Sequence, residues 1–419
     1  MSSILDRASF IWGGAPDYKA GYSWALKPRT GDGIVPMTRA SDKWVINSAG
    51  LLVKKEANEL ANEWDADGNY KGVSIEPSGV NLALHSEDFS NAVWTKTATT
   101  ITSDSTSSPI LGVMADLLTE TVATAGVYQD ITVASGATVA HSRMVKKDAG
   151  LDWYLLSIAP DGSNSVVAWF NLVTGTVGTY EENGIGVYAN HYMVDMGNGW
   201  YRCVVSGSIP ATTLRRCFSR SATADGTNAV VVGSTRYEFG AQTETGSVAT
   251  SYIPTTTASA PRQADVNVKT GVASLIGQEA GTIYVECSIS RNDQTTDRAI
   301  CDLSDGSANN RILLTKYRNG RLQCYIRTGA VDQAIIFPAT IYDNDKLQIA
   351  VTYETNKATL YVNGSEVGED LSVSLATYSV IGLGCLYTGS NTFNDHPSLV
   401  ALFKEALTDE EIASIPRIT

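Results

Sequence analysis

The chain has 419 residues, 43% of them hydrophobic but only 18% charged, and carries a formal net charge of −13. An acidic chain with no basic run longer than Lys54-Lys55 or Lys146-Lys147 repels phosphate backbones, which argues against nucleic-acid binding, and no segment approaches the ~18 continuous apolar residues of a membrane-spanning helix, which argues against membrane insertion. Charge below the ~25% usual for soluble domains, made up by Thr, Ser, Gly and Ala, suits turn-rich β-sandwiches, and the length suggests about three domains.

Residues 1–7 carry Asp6 and Arg7 and no apolar run, unlike a secretory signal. If the protein ends up outside a cell it leaves by another route, such as lysis within an assembled particle. Residues 1–80 read as irregular. They hold Trp12, Trp24, Trp44 and Trp64 and are punctuated by Gly13-Gly14-Ala15-Pro16, Lys27-Pro28 and Val35-Pro36. A small segment with so little periodicity does not easily bury four Trp alone. They pack either on the next domain or on another subunit, and the area that large aromatics lend to interfaces favours a subunit or particle interface. The segment is therefore expected to serve attachment or oligomerisation, with these four Trp as its docking residues.

From Asn81 the pattern changes. Residues 127–133 alternate apolar and polar, as a half-buried strand does. Residues 153–158 and 166–170 read as strands separated by the turn Asp161-Gly162, and another follows Thr174-Gly175 at 176–180. Asn198-Gly199 signals a tight hairpin before Trp200-Tyr201-Arg202-Cys203-Val204-Val205. Evenly spaced strands without intervening helices predict a sandwich or jelly roll over 81–255.

Residues 253–262, with Pro254 and Pro261 bracketing small polar residues, read as a linker, and 256–270 is taken as the connection between domains. A second sandwich is expected over 271–419, where residues 281–289 alternate and Asn319-Gly320 and Asn363-Gly364 mark hairpins. Near the end, Thr408-Asp409-Glu410-Glu411-Ile412 has the form of a capping box and predicts a short helix. The fold class is all-β: two β-sandwich (jelly-roll) domains after an irregular N-terminal segment.

The six cysteines, Cys203, Cys217, Cys287, Cys301, Cys324 and Cys385, form no C-x-x-C pair and lie at no zinc-finger spacing from His85, His141, His191 or His396. Zinc is not expected. Buried free thiols are favoured over disulfides for a chain assembled in a reducing cytoplasm.

Asn81-Leu82-Ala83-Leu84-His85-Ser86-Glu87-Asp88-Phe89-Ser90-Asn91-Ala92-Val93-Trp94-Thr95-Lys96 resembles a block of phage tail-fibre, head-fibre and other virion proteins, opening a jelly roll similar to carbohydrate-binding modules. Two more blocks of that type follow in order: Asn198-Gly199-Trp200-Tyr201-Arg202-Cys203, then Phe239-Gly240-Ala241-Gln242 with Thr250-Ser251-Tyr252-Ile253-Pro254-Thr255. Thr38-Arg39-Ala40-Ser41 and Gly72-Val73-Ser74-Ile75-Glu76-Pro77 resemble the lead-in of such proteins. The C-terminal part is similar to laminin-G-like, concanavalin A-like jelly rolls through residues 347–353, 358–364 and 401–412. The resemblances do not extend to residues 1–37. The resemblance implies a structural protein of the virion (fibre, spike or capsid decoration), assembled in the host cytoplasm beside other virion proteins. It also implies a homo-oligomer, with a trimer favoured, and jelly rolls that meet host-surface glycans. A dedicated receptor-binding tail protein is the alternative, and a polysaccharide-degrading enzyme is a weaker one.

Catalysis is not expected. Glycosidases need two carboxylates a fixed distance apart, but nothing like the Glu-x-Asp-x-x-Glu strand of some concanavalin A-like glycosidases occurs in 271–419, and there is neither a G-x-S-x-G elbow nor a P-loop. Glu410-Glu411 is explained by helix capping, and Glu181-Glu182 by a loop. No cofactor is expected. Calcium is possible at acidic turns. Asp65-Ala66-Asp67-Gly68-Asn69 opens like a calcium loop with Glu76 at the twelfth position, but residues 71–75 are poor ligands, and a polar turn between Trp64 and Tyr70 is preferred. Asp343-Asn344-Asp345 and Asn394-Asp395 are further rim candidates. For glycan contact, Trp153, Tyr154, Trp169 and Trp200, with Tyr201, are candidates for a stacking platform, weighed against the stronger reading that these rings are core. The C-terminal part has no Trp, so glycan contact there would fall to polar loops and to tyrosines such as Tyr317, Tyr325 and Tyr387.

Overall fold

The computed structural model describes residues 4–13, 35–122, 125–289, 296–318, 320–342 and 345–415, without the side chains of Asp6 and Asp345. Four six-stranded antiparallel sheets make two sandwiches. In the first sandwich one sheet runs in the order Thr176–Asn183, Ser165–Asn171, Trp153–Ala159, Leu214–Ala222, Gly126–Thr132, Thr95–Thr97. Its partner runs Val187–Asp195, Trp200–Ser208, Thr138–Lys147, Thr235–Thr245, Met114–Glu120, Thr99–Ser107. Val139, Val145, Cys203 and Val205 of the second sheet meet Tyr154, Leu156, Ile158, Val166 and Phe170 of the first across the interior.

The alternation read from sequence explains the layering. Val127, Gln129 and Ile131 are buried while Asp130 and Thr132 are exposed, because successive strand residues face opposite sides of a sheet. Asn198 and Gly199 both take positive φ, 54° and 77°, as a tight hairpin turn between the strands Val187–Asp195 and Trp200–Ser208 requires. The blocks at 81–96, 198–203 and 239–255, far apart in the chain, form one seam. Asn81 donates to the carbonyls of Ala241 (3.0 Å) and Ile253 (2.8 Å), Ser86 Oγ pairs with Tyr252 OH at 2.9 Å, and Arg202 donates to Thr250 O at 2.7 Å.

This sandwich also buries charge. Glu238 lies between Arg143 (2.5 Å) and Arg236 (2.6 Å), and Arg236 reaches Glu120 at 2.5 Å. Burial opposes ionisation of Glu238, but the two guanidinium groups outweigh it and bring its carboxyl down to about 2.

The second sandwich pairs the sheet Phe10–Trp12, Pro397–Phe403, Ala280–Ile289, Asp345–Glu354, Lys357–Val362, Ser365–Asp370 with the sheet Val268–Thr270, Val380–Leu383, Arg298–Ser304, Arg311–Lys316, Leu322–Thr328, Val331–Ile336. The capping box is present: Thr408 Oγ1 accepts from Glu411 N, and Glu411 reaches back to the Thr408 amide, starting the helix Asp409–Ala413. All six cysteines are buried and unpaired.

The N-terminal segment is short-stranded and woven into the rest. Phe10–Trp12 joins the second sandwich as an edge strand on Pro397–Phe403. Two hairpins follow, Lys43–Ile46 with Leu52–Lys55 and Asn62–Trp64 with Tyr70–Val73. The stretch expected to be a linker is tied down as well. Ala260–Arg262 pairs with Gly79–Asn81, Val268–Thr270 is a strand of the second sandwich, and Arg262, Asp265 and Asn267 are buried. Its small, proline-bracketed composition resembles a free tether, but its charged residues find partners upstream, and buried charges are held only when paired.

Candidate functional site

The hairpin Asn62–Trp64/Tyr70–Val73 lies where the two sandwiches meet. Gly72 makes this approach possible. Its φ is 132°, and a Cβ there would stand 2.7 Å from the Pro397 carbonyl oxygen and 2.9 Å from that of His396. Ile75 and Asp395 exchange backbone hydrogen bonds of 3.1 and 3.2 Å just below. At the tip, Asp65 accepts from the amides of Asp67 (3.0 Å) and Asn69 (2.8 Å) and from Asn69 Nδ2 (3.0 Å). These oxygens close a turn, as the preferred reading held, and among the described residues no group of His, Cys, Asp or Glu is arranged to hold a metal ion. Of the other calcium candidates, Asp343, Asn344 and the Asp345 side chain lie outside the described residues.

Between this hairpin, the hairpin at 43–55, the strand Val187–Asp195 and the segment 394–396 is a cleft of about 590 Å³. Its apolar lining includes Trp44, Trp64, Met144, Tyr192 and Met196, and its polar lining includes Glu63, Lys71, Arg202, Lys316, Lys346 and His396. Trp64 is half-buried and packs against Tyr70 with ring centroids 5.4 Å apart.

One ion cluster forms the cleft wall. Glu63 accepts from His396 Nε2 at 3.0 Å and from Lys71 Nζ at 3.2 Å, and Lys316 lies 3.6 Å from Asp395. Burial alone would raise the Glu63 carboxyl. Lys71 and His396 overcome that and hold it well below the usual carboxylate range. His396 is depressed by burial and by Lys71, yet Glu63 and Asp395 raise it above its ordinary value.

A second cluster forms the joint behind the cleft. Asp265 binds Arg39 at 2.8 Å and Lys43 at 2.7 Å, and Lys43 also reaches Glu76 at 3.0 Å. Glu76 accepts from the Ser251 amide at 3.0 Å, linking the N-terminal segment to the first sandwich. Burial works against ionised Glu76, but Lys43 and Arg262 lower its carboxyl to about 2.

The expected site residues divide. Of the docking tryptophans, Trp44 and Trp64 are half-buried at the cleft, and Trp24 lies outside the described residues. Trp12 is not a free docking residue, since it is 4% exposed and packed in the core of the second sandwich. The platform candidates do not share one open face. Tyr154 points into the first sandwich, and Trp200 joins a separate core cluster with Met144 and Phe239. Trp169 and Trp153 lie on the outer face, but Trp169 is fully buried and donates to Thr227 O at 2.7 Å from a covering loop. Apolar runs placed these rings in the core because strands covered on both sides bury both faces. Glu63, Lys71, Lys316 and His396 were not singled out from sequence, since nothing in their spacing brings residues 63 and 396 together.

Residues 262–413 match the family described as the concanavalin A-like lectin/glucanases superfamily, a span that overlaps the 271–419 for which that fold was expected. No curated protein sequence matches the chain. Among solved structures, the NanB sialidase of Streptococcus pneumoniae aligns at 16% identity and TM-score 0.30 over 36% of this chain and 27% of its own. The CBM40 of the Ruminococcus gnavus IT-sialidase, bound to α2,3-sialyllactose, aligns at 14% identity and TM-score 0.30 over 34% of this chain and 85% of its own. The botulinum neurotoxin serotype D binding domain aligns at 15% identity and TM-score 0.29 over 36% of this chain and 39% of its own. This chain thus spans about a quarter of the sialidase, and all three are distant, partial overlaps.

Proposed function

We propose that this chain is a saccharide-contacting structural protein of a bacteriophage particle, in a fibre, spike or capsid-decoration position, and that the cleft between its sandwiches is a saccharide site. The observation that carries the saccharide reading is the cleft itself. Half-buried Trp64 and Trp44 and the cluster Glu63–His396–Lys71 converge where the lectin-type segment 262–413 meets the upstream sandwich. Sugars present apolar C–H faces that rings cover and hydroxyls that fixed charges orient, and ligand sites favour such junctions. The particle assignment is supported by the residue blocks at 81–96, 198–203 and 239–255, and assembly as a homo-oligomer, with a trimer favoured, comes with it.

Binding is favoured over catalysis by electrostatics. Glycoside hydrolysis needs a carboxylic acid with a raised proton affinity. Glu63 and Glu76, both on the cleft lining, are instead held ionised. The full chain should bind polysaccharide extracted from the host surface without releasing oligosaccharide, and Trp64→Ala should weaken that binding at least tenfold while circular dichroism is unchanged. Retention of full affinity by Trp64→Ala would remove the cleft from the proposal, and release of oligosaccharide would replace binding by hydrolysis. A density map of the particle with this chain placed in it tests the virion role, and its absence from purified particles would overturn that role.

A further inference from the structure

The outer face of the sheet that carries Trp169 holds a second constellation, none of whose residues line the cleft. Strand Leu214–Ala222 presents Arg216, Phe218 and Arg220 outward, beside Tyr128 and Asp130 of Gly126–Thr132. Phe218 and Tyr128 are cross-strand partners, half-buried, with ring centroids 6.4 Å apart. Phe218 lies flat across Gly126, where any Cβ would collide with its ring.

The two arginines on this face are treated differently. Arg216 is satisfied: it lies 4.2 Å over the Tyr128 ring and binds Asp130 through two hydrogen bonds, 2.9 and 3.1 Å. Arg220 sits 5.3 Å over Phe218 and gives one hydrogen bond, 2.8 Å to Asn228 Oδ1 of the covering loop, while its Nε is buried with no partner. No carboxylate among the described residues stands within ion-pair distance of it; Glu120 attracts it from farther away and pairs with Arg236 at 2.5 Å. A half-buried guanidinium that shares Glu120 with Arg236 and pairs directly with no carboxylate can take an external anion.

We infer that this face binds an acidic saccharide: a carboxylate on the Nη edge of Arg220, the apolar face of the sugar against Phe218 and Tyr128, and hydroxyls toward the Arg216–Asp130 pair. A planar fork matches a carboxylate in two-point geometry, and the flanking rings suit a pyranose better than a bare anion. The site belongs to the first sandwich alone and does not depend on the cleft proposal.

The test uses the full chain and a panel of galacturonate, glucuronate and mannuronate tetrasaccharides, each beside its carboxyl-reduced neutral counterpart, followed by calorimetry. At least one acidic member should bind, with its neutral counterpart at least tenfold weaker. Arg220→Met should weaken it at least tenfold, and Arg220→Lys should retain part of the affinity. Circular dichroism checks the fold of each variant. The inference is overturned if no member binds below millimolar concentration, if the neutral counterparts bind equally, or if Arg220→Met binds as the parent does.

Discussion

Trp12→Ala separates two roles for the N-terminal segment. If Trp12 served only to dock another subunit, its removal would leave the isolated chain as stable as before. In the structure Trp12 is 4% exposed, pairs with Val400 and shares a core with Phe10, Ile283, Val285 and Leu402. Truncating a buried Trp to Ala costs about 3–5 kcal/mol through lost transfer energy and the cavity left behind. We take about 4 kcal/mol, because the core that holds Trp12 is built from both sheets of the second sandwich, whose strands cannot close the gap. With a urea slope of about 2 kcal/mol per molar, the midpoint of the transition of the second sandwich should fall by about 2 M. Unfolding followed by circular dichroism at several protein concentrations measures this. A shift below about 0.5 M, or one that vanishes on dilution, would refute the placement of Trp12 in its own core and restore the docking role. Truncation of residues 1–70 extends the argument. It removes Phe10–Trp12, Arg39 and Lys43 together, leaving Asp265 buried without either cation, so the truncated chain should lose the second sandwich and not merely its place in a particle.

Two further outcomes follow from the joint and the buried charges. Gly72→Ala should detach the hairpin at 62–73 from residues 396–397, seen as faster amide exchange across both segments; unchanged exchange would mean that the close approach is not needed. Glu238 is depressed in the fold, so its ionisation adds stability that is fully present above its unfolded value near 4.5 and is lost as pH falls through about 2; a shift of this size corresponds to about 3 kcal/mol. Glu238→Gln should therefore destabilise by about 3–5 kcal/mol at neutral pH, because it strands Arg143 and Arg236, and the difference from the parent should narrow in acid. A pH-independent difference in urea midpoints would show that the ion network is not its source.

Much of the fold is legible in the residues. The alternation at 127–133 gives a strand because burial on one face repeats every second residue. Asn198-Gly199 gives a hairpin because both residues tolerate positive φ, and Thr408 with Glu411 starts a helix because their side chains close each other's amides. Each of these signals is local, and each is set by chemistry within a few residues. The Trp-rich start and the proline-bracketed stretch misled for the same reason: composition reports what a segment contains and not what it touches. Arg39 and Asp265 stand 226 residues apart, and Glu63 and His396 are 333 apart. Only the stacking of the two sandwiches brings them within hydrogen-bond distance, and it does so where burial makes an unpaired charge too costly to keep. The sequence by itself determined strands, turns, the helix cap and an all-β class, since those follow from backbone preference and period. The tertiary structure decided which tryptophans are core and which line a cleft, which charges are locked in pairs, and which arginine is left without one, since those depend on distances that no spacing along the chain encodes.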